Sequence, residues 1–479
     1  MQVDGRDKPP QAPLVLTPQF FGSIVFDRRT SRYLPFDLEA TALLRRLGHV
    51  PFDAVVRQTP DAATRRAMER FFEHFDVLGF FTLDRRFAGH ILELEPPDDH
   101  LAGPLALHLE VVASCNLKCQ HCFAGPLPRR DRPLTLDELD GLFASVARVG
   151  TFRLGLTGGE PLLRRDLFDV IDLALDHGLC PCVTTNGLLI DERVAREFGR
   201  RELAWLNVSL EGARPETNDL VRGPGTFDRV VEKLAILARH TKFTLAFTIM
   251  RTNVDEVQAC ADLAARVGAH TAVFRPLYPV GVAREHLDLM PTFQQYGQAL
   301  DRLAEAATGG GYDVRDIDPF SPRARQERQA VVHQNLGCGA GNLVCSVSVS
   351  GDVNPCSFLG RDYVAANIRD RSLEDIWHNS QGFRDIRALP GGNTCGGCDS
   401  QDGFSGGCRA RALTFNGSIN APDPWINEYA TLAAHDDRQR TAGGGLPRHP
   451  LHTLELAALA GRADIQPLPL LSRQPRSDR

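Results

Sequence analysis

The sequence predicts an α/β protein: a core built on a parallel β-sheet, a small winged-helix-like α+β segment ahead of it, and a cysteine-rich segment behind it. Three observations carry the prediction. From residue 105 onward, six strand-like runs (LALHLEVV, RLGLTG, PCVTTNG, LAWLNVSLEG, FTLAFTIM and TAVFRPLYPVG) alternate with amphipathic stretches such as LTLDELDGLFASVARVG, RRDLFDVIDLALDHG, TFDRVVEKLAILARH and DEVQACADLAARVG. Such alternation means parallel strands joined by crossover helices. Before residue 96 strands come first and helices follow. Past about residue 330 the texture turns to Gly- and Cys-rich loops with little helix, which small domains tolerate when metals replace core.

In chain order, LVLTPQFFGSIVFDRRTSRYLPFD reads as short strands with a hairpin turn near Arg29 to Ser31. Asp37 stands where an N-cap would start the helix LEATALLRRLG; DAATRRAMERFFEHFDVLG makes a second helix, and GFFTLD returns as a wing strand. EPPDDHLAGP, residues 95–104, is a linker. The six units that follow suit an open doubly wound sheet or a partial barrel, and in either the chemistry belongs at the C-terminal ends of the strands. Past about residue 430 the Gly-, Pro- and Arg-rich chain reads as a largely disordered tail with one helix around HTLELAALAG.

The 479 residues are 43% hydrophobic and 24% charged, ordinary values for a globular chain. No apolar run approaches the roughly 18–20 residues of a membrane span, and MQVDGRDKPPQAP lacks the apolar stretch of a signal peptide. The cytoplasm is therefore the expected compartment, with no membrane partner. A net charge of −6 gives no basic footprint for nucleic acid. Of 12 cysteines, nine fall in three tight groups, and in a reducing compartment such grouping reads as metal ligation before disulfide. Cys180, Cys182 and Cys260 stand apart, in apolar surroundings, and read as small core residues.

Cys115, Cys119 and Cys122 lie in SCNLKCQHCF, immediately after the first core strand and so on the loop at its C-terminal end. Thiolates this dense suit zinc or an iron–sulfur cluster. Zinc would take His121 as fourth ligand, at the cost of straining a loop in which His121 adjoins Cys122; a set of free thiols is the third reading. CNLKCQHC resembles the CxxxCxxC loop of the radical S-adenosyl-L-methionine (SAM) enzymes. That resemblance implies a partial (β/α)6 TIM-like barrel and a [4Fe-4S] cluster held by the three cysteines, its fourth iron left open for SAM. An electron from an external flavodoxin- or ferredoxin-type donor would then cleave SAM to a 5′-deoxyadenosyl radical that abstracts hydrogen from substrate.

LTGGEP, one strand later, resembles the family's GGEP segment. Gly158 and Gly159 would let backbone approach the ligand, and Glu160 would meet SAM's ammonium. In SLEG, Ser209 is similar to the family's ribose-contacting position, with Glu211 in place of a frequent Asp. Arg222 in RGPGTF is the expected partner of SAM's carboxylate, and Thr185 or Asn186 in TTNG would line the pocket. For each of these a turn or cap role is the alternative.

The second cysteine field resembles a SPASM domain, an extension that holds auxiliary clusters in a subgroup of radical SAM enzymes. GDVNPC matches its GxxxxC, and the resemblance implies Cys338, Cys345, Cys356 and Cys408 as the complete ligand set of one auxiliary [4Fe-4S] cluster. Cys395 and Cys398 match two ligands of a second cluster, but Phe404 stands where a third is expected and APDPWINEY lacks the last. Absence of that second cluster is the favoured reading; ligation by Asp399, Asp402 or water is the other. A zinc knuckle at Cys395 and Cys398 lacks a partner CxxC.

GSIVFDRRTSRYLPFD followed by two helices looks like the PqqD-type peptide-chaperone fold, or RiPP recognition element. Its charges are close to balanced and it has no basic recognition helix, against a DNA-binding role. In that family a leader peptide adds as a strand beside the hairpin. The implied organisation is a leader-binding domain at 1–96, a radical SAM core at 97–325, an auxiliary-cluster domain at 326–430 and a tail at 431–479. The implied function is maturation of a ribosomally made precursor peptide by cross-linking, epimerisation or oxidative decarboxylation. The alternatives are a sulfatase-type activator of a folded protein, a radical SAM enzyme acting on a small molecule or tetrapyrrole, and a metal-stabilised peptide-binding scaffold without catalysis.

Overall fold

The computed structural model describes residues 12–125, 132–309, 313–316, 338–389 and 407–425. These fall into two compact units: residues 12–103 with 147–152, and the remainder.

The first unit opens as an antiparallel meander, β1 (Leu14–Gln19), β2 (Gly22–Asp27) and β3 (Arg32–Asp37). Gly22, at φ +140°, sits so close to β3 that a Cβ would lie 2.3 Å from the Phe36 carbonyl oxygen. The β2–β3 turn is tied by Asp27, whose carboxylate accepts from the Arg29 backbone N–H and guanidinium. Helices α1 (Leu38–Leu47), α2 (Phe52–Gln58) and α3 (Ala62–Asp76) follow. Asp37 caps α1 by accepting from the Ala40 N–H, and Asp61 caps α3 through the Thr64 N–H, each satisfying an orphan donor of the first turn. Phe71, Phe72 and Phe75 of α3 pack against Phe36, Phe52, Phe80 and Phe81 to make the core.

Two expectations need correction in this unit. The wing is not GFFTLD: Thr82, Asp84 and Arg86 close a local turn there, leaving one bridge between Phe81 and Phe87. The returning strand is β4 (Gly89–Ile91), parallel to β1, in a sheet of order β3-β2-β1-β4. Helix α2 was not anticipated, because in FDAVVRQ only Phe52 and Val55 are buried and seven residues are too short to show a period.

The second unit contains all six expected strands, β5 (Ala106–Val112), β6 (Arg153–Gly158), β7 (Cys180–Thr185), β8 (Trp205–Ser209), β9 (Thr244–Ile249) and β10 (Thr271–Pro276), with a seventh, β11 (Asp313–Asp316). Between them run α4 (Leu136–Arg148), α5 (Leu167–Asp176), α6 (Glu192–Gly199), α7 (Pro215–Arg222), α8 (Thr226–Leu237), α9 (Val257–Arg266) and α10 (Phe293–Gly309). All these strand pairs are parallel and the order is sequential. A doubly wound sheet reverses its strand order at a switch point; this one does not.

The sheet is also strongly curved. Arg275 on β10 is near enough to His108 on β5 to depress its imidazole, although five strand spacings of a flat sheet would separate them by about 24 Å. Among the described strands no ladder joins β11 to β5. The free edge of β5 pairs instead with β12 (Val344–Val347), which continues into β13 (Asp352–Asn354) and β14 (Ala366–Asn367).

The C-terminal segment is more helical than expected, with α11 (Leu373–Asn379), α12 (Gln381–Arg387) and α13 (Arg409–Asn416). The reason is local. Ser372 caps α11 through the Asp375 N–H, and Leu373, Ile376 and Trp377 form its buried stripe. Residues 431–479, read as a tail, lie outside the described residues. No described helix is long and apolar enough to cross a membrane.

Candidate functional site

Parallel ladders put register partners on the same face, so one face of the curved sheet carries the buried Leu107, Leu109 and Val111 and the other carries His108 and Glu110. The loop after β5 leaves at the C-terminal edge. It holds Cys115, Cys119 and Cys122, all free thiols. Four backbone bonds fix it: Glu160 N–H to Ser114 C=O (2.9 Å), Gln120 N–H to Val221 C=O (3.0 Å), Val282 N–H to Cys122 C=O (2.9 Å) and Cys122 N–H to Cys119 C=O (3.3 Å). Cys115 Sγ also accepts from the Leu117 N–H at 3.4 Å. Burial pushes the Cys119 thiol up to about 11 and raises Cys115 as well. Among the described residues, no three His, Cys, Asp or Glu side chains converge as ligands of one metal ion; thiolates sharing a cluster attach to separate irons.

Gly158 and Gly159 end β6 against this loop. A Cβ on Gly158, at φ +124°, would meet the Val112 carbonyl oxygen at 2.3 Å; one on Gly159 would meet that of Ser114 at 2.1 Å. The backbone these glycines admit is therefore the end of β5 and the start of the cysteine loop, rather than only a ligand. Glu160 is 1% exposed. Its carboxylate accepts from the Leu162 N–H (3.1 Å), Thr185 Oγ1 (2.6 Å) and the Asn186 N–H (2.7 Å). Burial raises its pKa against those bonds. A carboxylate has about four acceptor positions, so one remains. Asn186 Nδ2 reaches Asn116 Oδ1 at 2.6 Å and Cys115 Sγ at 3.9 Å. Thus TTNG clamps Glu160 to the cysteine loop, a link invisible in either motif alone.

Glu211, beyond the end of β8, is a hub. Its carboxylate takes Arg222 (2.8 Å), lies 3.0 Å from His121 Nε2, and accepts the Thr248 N–H at 2.7 Å. Burial alone would push it up; the charges of His121 and Arg222 outweigh burial and hold it to about 2. Arg222, expected free for a ligand carboxylate, is committed to this pair and 7% exposed. Its Nε, like His121 Nδ1, is buried without a hydrogen-bond partner among the described residues. Ser209 ends β8 half-buried, its hydroxyl unpartnered among those residues. Sequence reasoning had His121 as a possible zinc ligand; its place directly before Cys122, and the extra methylene of Glu211 over Asp, were the signals of this contact.

Of the second cysteine field, Cys338, Cys356 and Cys408 lie in one apolar cluster with Val280, Leu359 and Ile386. Cys345 is fully buried on β12. Burial pushes Cys356 up to about 12 and raises Cys345 and Cys408 further; Cys338 is close enough to both Cys356 and Cys408 to raise them too, and Cys356 likewise raises Cys345. Arg411 and Asp423, both buried, pair through two bonds at 2.7 and 2.6 Å, and Asp423 accepts the Cys408 N–H. Cys395 and Cys398 lie outside the described residues. Cys182 and Cys260 are buried, as expected, and Cys180 is half-buried.

Both sites fit iron–sulfur clusters: unbridged thiols in mutual electrostatic reach, the first beside buried polar atoms that lack partners, the second in an apolar shell. Comparison with known proteins agrees. A profile of the radical SAM superfamily matches residues 109–264, and one of the SPASM iron–sulfur cluster-binding domain matches residues 338–399. Mycofactocin maturase MftC of Mycolicibacterium smegmatis is 32% identical over 333 residues, 68% of this chain and 83% of that protein. AdoMet-dependent heme synthase of Methanosarcina barkeri is 30% identical over 344 residues, 67% of this chain and 96% of that one. In fold, the chain is similar to Streptococcus suis SuiB bound to precursor peptide SuiA, with TM-score 0.65, 15% identity, and coverage of 86% of this chain and 98% of that one.

Proposed function

Because this chain belongs to the radical SAM superfamily and carries a SPASM domain, we propose that it matures a ribosomally made precursor peptide, and that its first unit is a PqqD-like leader reader. Its cofactors are a [4Fe-4S] cluster, SAM and auxiliary iron–sulfur clustering. The observation that carries the peptide reading is the edge position of β3 in the first unit's sheet, unpaired on its outer side among the described strands. Pro35 lies in that strand, as proline does at sheet edges, and an edge of this kind accepts an extended peptide by strand addition. The likeness to SuiB, over a larger share of the chain than residues 105–425, supports the fold of that unit.

In this reading Cys115, Cys119 and Cys122 hold the SAM cluster, and Cys338, Cys345, Cys356 and Cys408 hold a closed auxiliary cluster. Bound cluster and SAM supply a hydrogen-abstracting radical when an external flavodoxin- or ferredoxin-type protein gives an electron. The chain supplies position. Glu160, braced by Thr185 and Asn186, offers its remaining acceptor to SAM's ammonium; Ser209 offers its hydroxyl to the ribose; and Arg222 acts through its Nε and through the Glu211–His121 contact. The apolar shell of Cys338, Cys356 and Cys408 excludes water from the second site. The domains follow as 1–96, 97–325 and 326–430.

The heme-synthase relative favours a second reading, a tetrapyrrole substrate. Anaerobic iron and sulfide analysis with reductive SAM cleavage tests the shared chemistry. Iron on the first triad with cleavage supports both enzyme readings, whereas stoichiometric zinc without cleavage leaves only a scaffold. Mass change of a co-expressed candidate precursor peptide, against conversion of an added tetrapyrrole, separates the two.

A further inference from the structure

The concave face of the sheet carries groups to which the reading above gives no role. Register places His108, Glu110, Arg153, Trp205 and Arg275 on it. Arg153 lies over the Trp205 ring at 5.6 Å, and both Arg153 and Glu110 have further contacts within the protein. His108 brings no compensating charge: burial, then Arg275 and Arg153, push its imidazole down to about 4, so it is neutral at pH 7.

Arg275 differs from its neighbours. It is the penultimate residue of β10, at the C-terminal end where the cysteine loop lies, and is half-buried. Among the described residues its guanidinium has neither hydrogen bond nor ion pair. Burial works against its charge, and of the nearby groups Tyr278 and Glu211 favour it. Glu211 is already occupied by His121, Arg222 and the Thr248 N–H. A guanidinium stays charged in a protein, and this half-buried one has as its nearby carboxylate only one shared with three other donors, so its charge is balanced only in part, at a cost. Such a cost persists where a ligand brings the missing anion into a site with few, well-placed polar groups.

We propose that Arg275 anchors a carboxylate of the substrate peptide inside the barrel. The assignment rests on the peptide reading above. A fork of parallel N–H donors is matched to a carboxylate, which a peptide carries at its C-terminus or on an Asp or Glu side chain. Arg275 thereby selects which residue of the core peptide lies nearest the SAM site.

The test uses the anaerobic, reconstituted full chain with SAM bound. Three probes are titrated and followed by 13C line broadening: carboxyl-labelled N-acetyl-glycyl-glycine, its C-terminal amide, and N-acetyl-aspartic acid α-amide. In Arg275→Gln, at least one carboxylate probe weakens by about tenfold or more, Arg275→Lys weakens it less, and the C-terminal amide shows no dependence. Which carboxylate responds identifies the source. Arg275→Met, which keeps the packing of the stem, gives the same result should Arg275→Gln lose iron or fold. Equal binding of both carboxylates by wild type and variants overturns the assignment. So does a tenfold loss of SAM affinity in Arg275→Gln with unchanged probes, which would give the guanidinium to SAM. If the probes fail while wild type still changes the mass of its precursor peptide, only this assignment falls; no mass change removes the reading beneath it.

Discussion

Glu211 decides whether the buried charges near the cysteine loop are tolerable. Glu211→Gln leaves Arg222 buried without its counter-charge, at a cost of about 3–5 kcal/mol, measurable by denaturant unfolding at pH 7. The pH dependence has a definite sign. Glu211 is held to about 2, below its ordinary value, so its contribution is present above about pH 4.5 and lost as pH falls toward 2. The stability gap between wild type and Glu211→Gln should therefore shrink on acidification; a gap that widens would contradict the ion-pair account. Gly159 makes a second residue-level prediction. A Cβ there would lie 2.1 Å from the Ser114 carbonyl oxygen, so Gly159→Ala should cost one cluster, about four irons per chain, by iron analysis. Full iron content would show that the loop accommodates the methyl group. The three thiols were legible in the sequence because their spacing is itself the chemistry. The roles of Gly158 and Gly159 toward the loop, and of Thr185 and Asn186 toward Glu160, were not, because they join residues on different strands.

Strands with strong apolar alternation were legible as elements: β5 to β10 all form where their sequence predicts. β11 was missed because DVRD is polar and reads as loop, yet it pairs with β10 at the sheet edge. The choice between barrel and doubly wound order was invisible in the local pattern, since both present the same strand–helix alternation. The C-terminal segment read as loops because glycine and cysteine dominate it, while its helices are set by single caps such as Ser372. At the far end of that segment, α13 is tied to the second cysteine site by Asp423, which holds both Arg411 and the Cys408 N–H. Asp423→Ala should destabilise by about 3–5 kcal/mol and lower the iron of the auxiliary cluster while leaving the Cys115, Cys119 and Cys122 cluster filled. Thermal unfolding and iron analysis of Asp423→Ala, alone and in a background lacking the first triad, check it; retained auxiliary iron would argue that Cys408 does not depend on this tie.

Along its length the chain carries a sheet with β3 at its edge, a curved sheet with three thiols at its C-terminal end, and a second group of thiols in an apolar cluster. If the first unit reads a leader as proposed, tethering it there raises the local concentration of the core peptide at the radical site. A precursor stripped of its leader should therefore be modified at least about tenfold more slowly at equal concentration, with the leader added in trans restoring little. The central claim is that a radical generated at the Cys115, Cys119 and Cys122 site modifies a peptide. Co-expression of the chain with a candidate short precursor peptide, followed by intact-mass measurement of that peptide, tests it most directly. The account predicts a discrete mass change with wild type and none when the three cysteines are replaced by alanine; an unmodified peptide recovered with an intact, SAM-cleaving enzyme would contradict it.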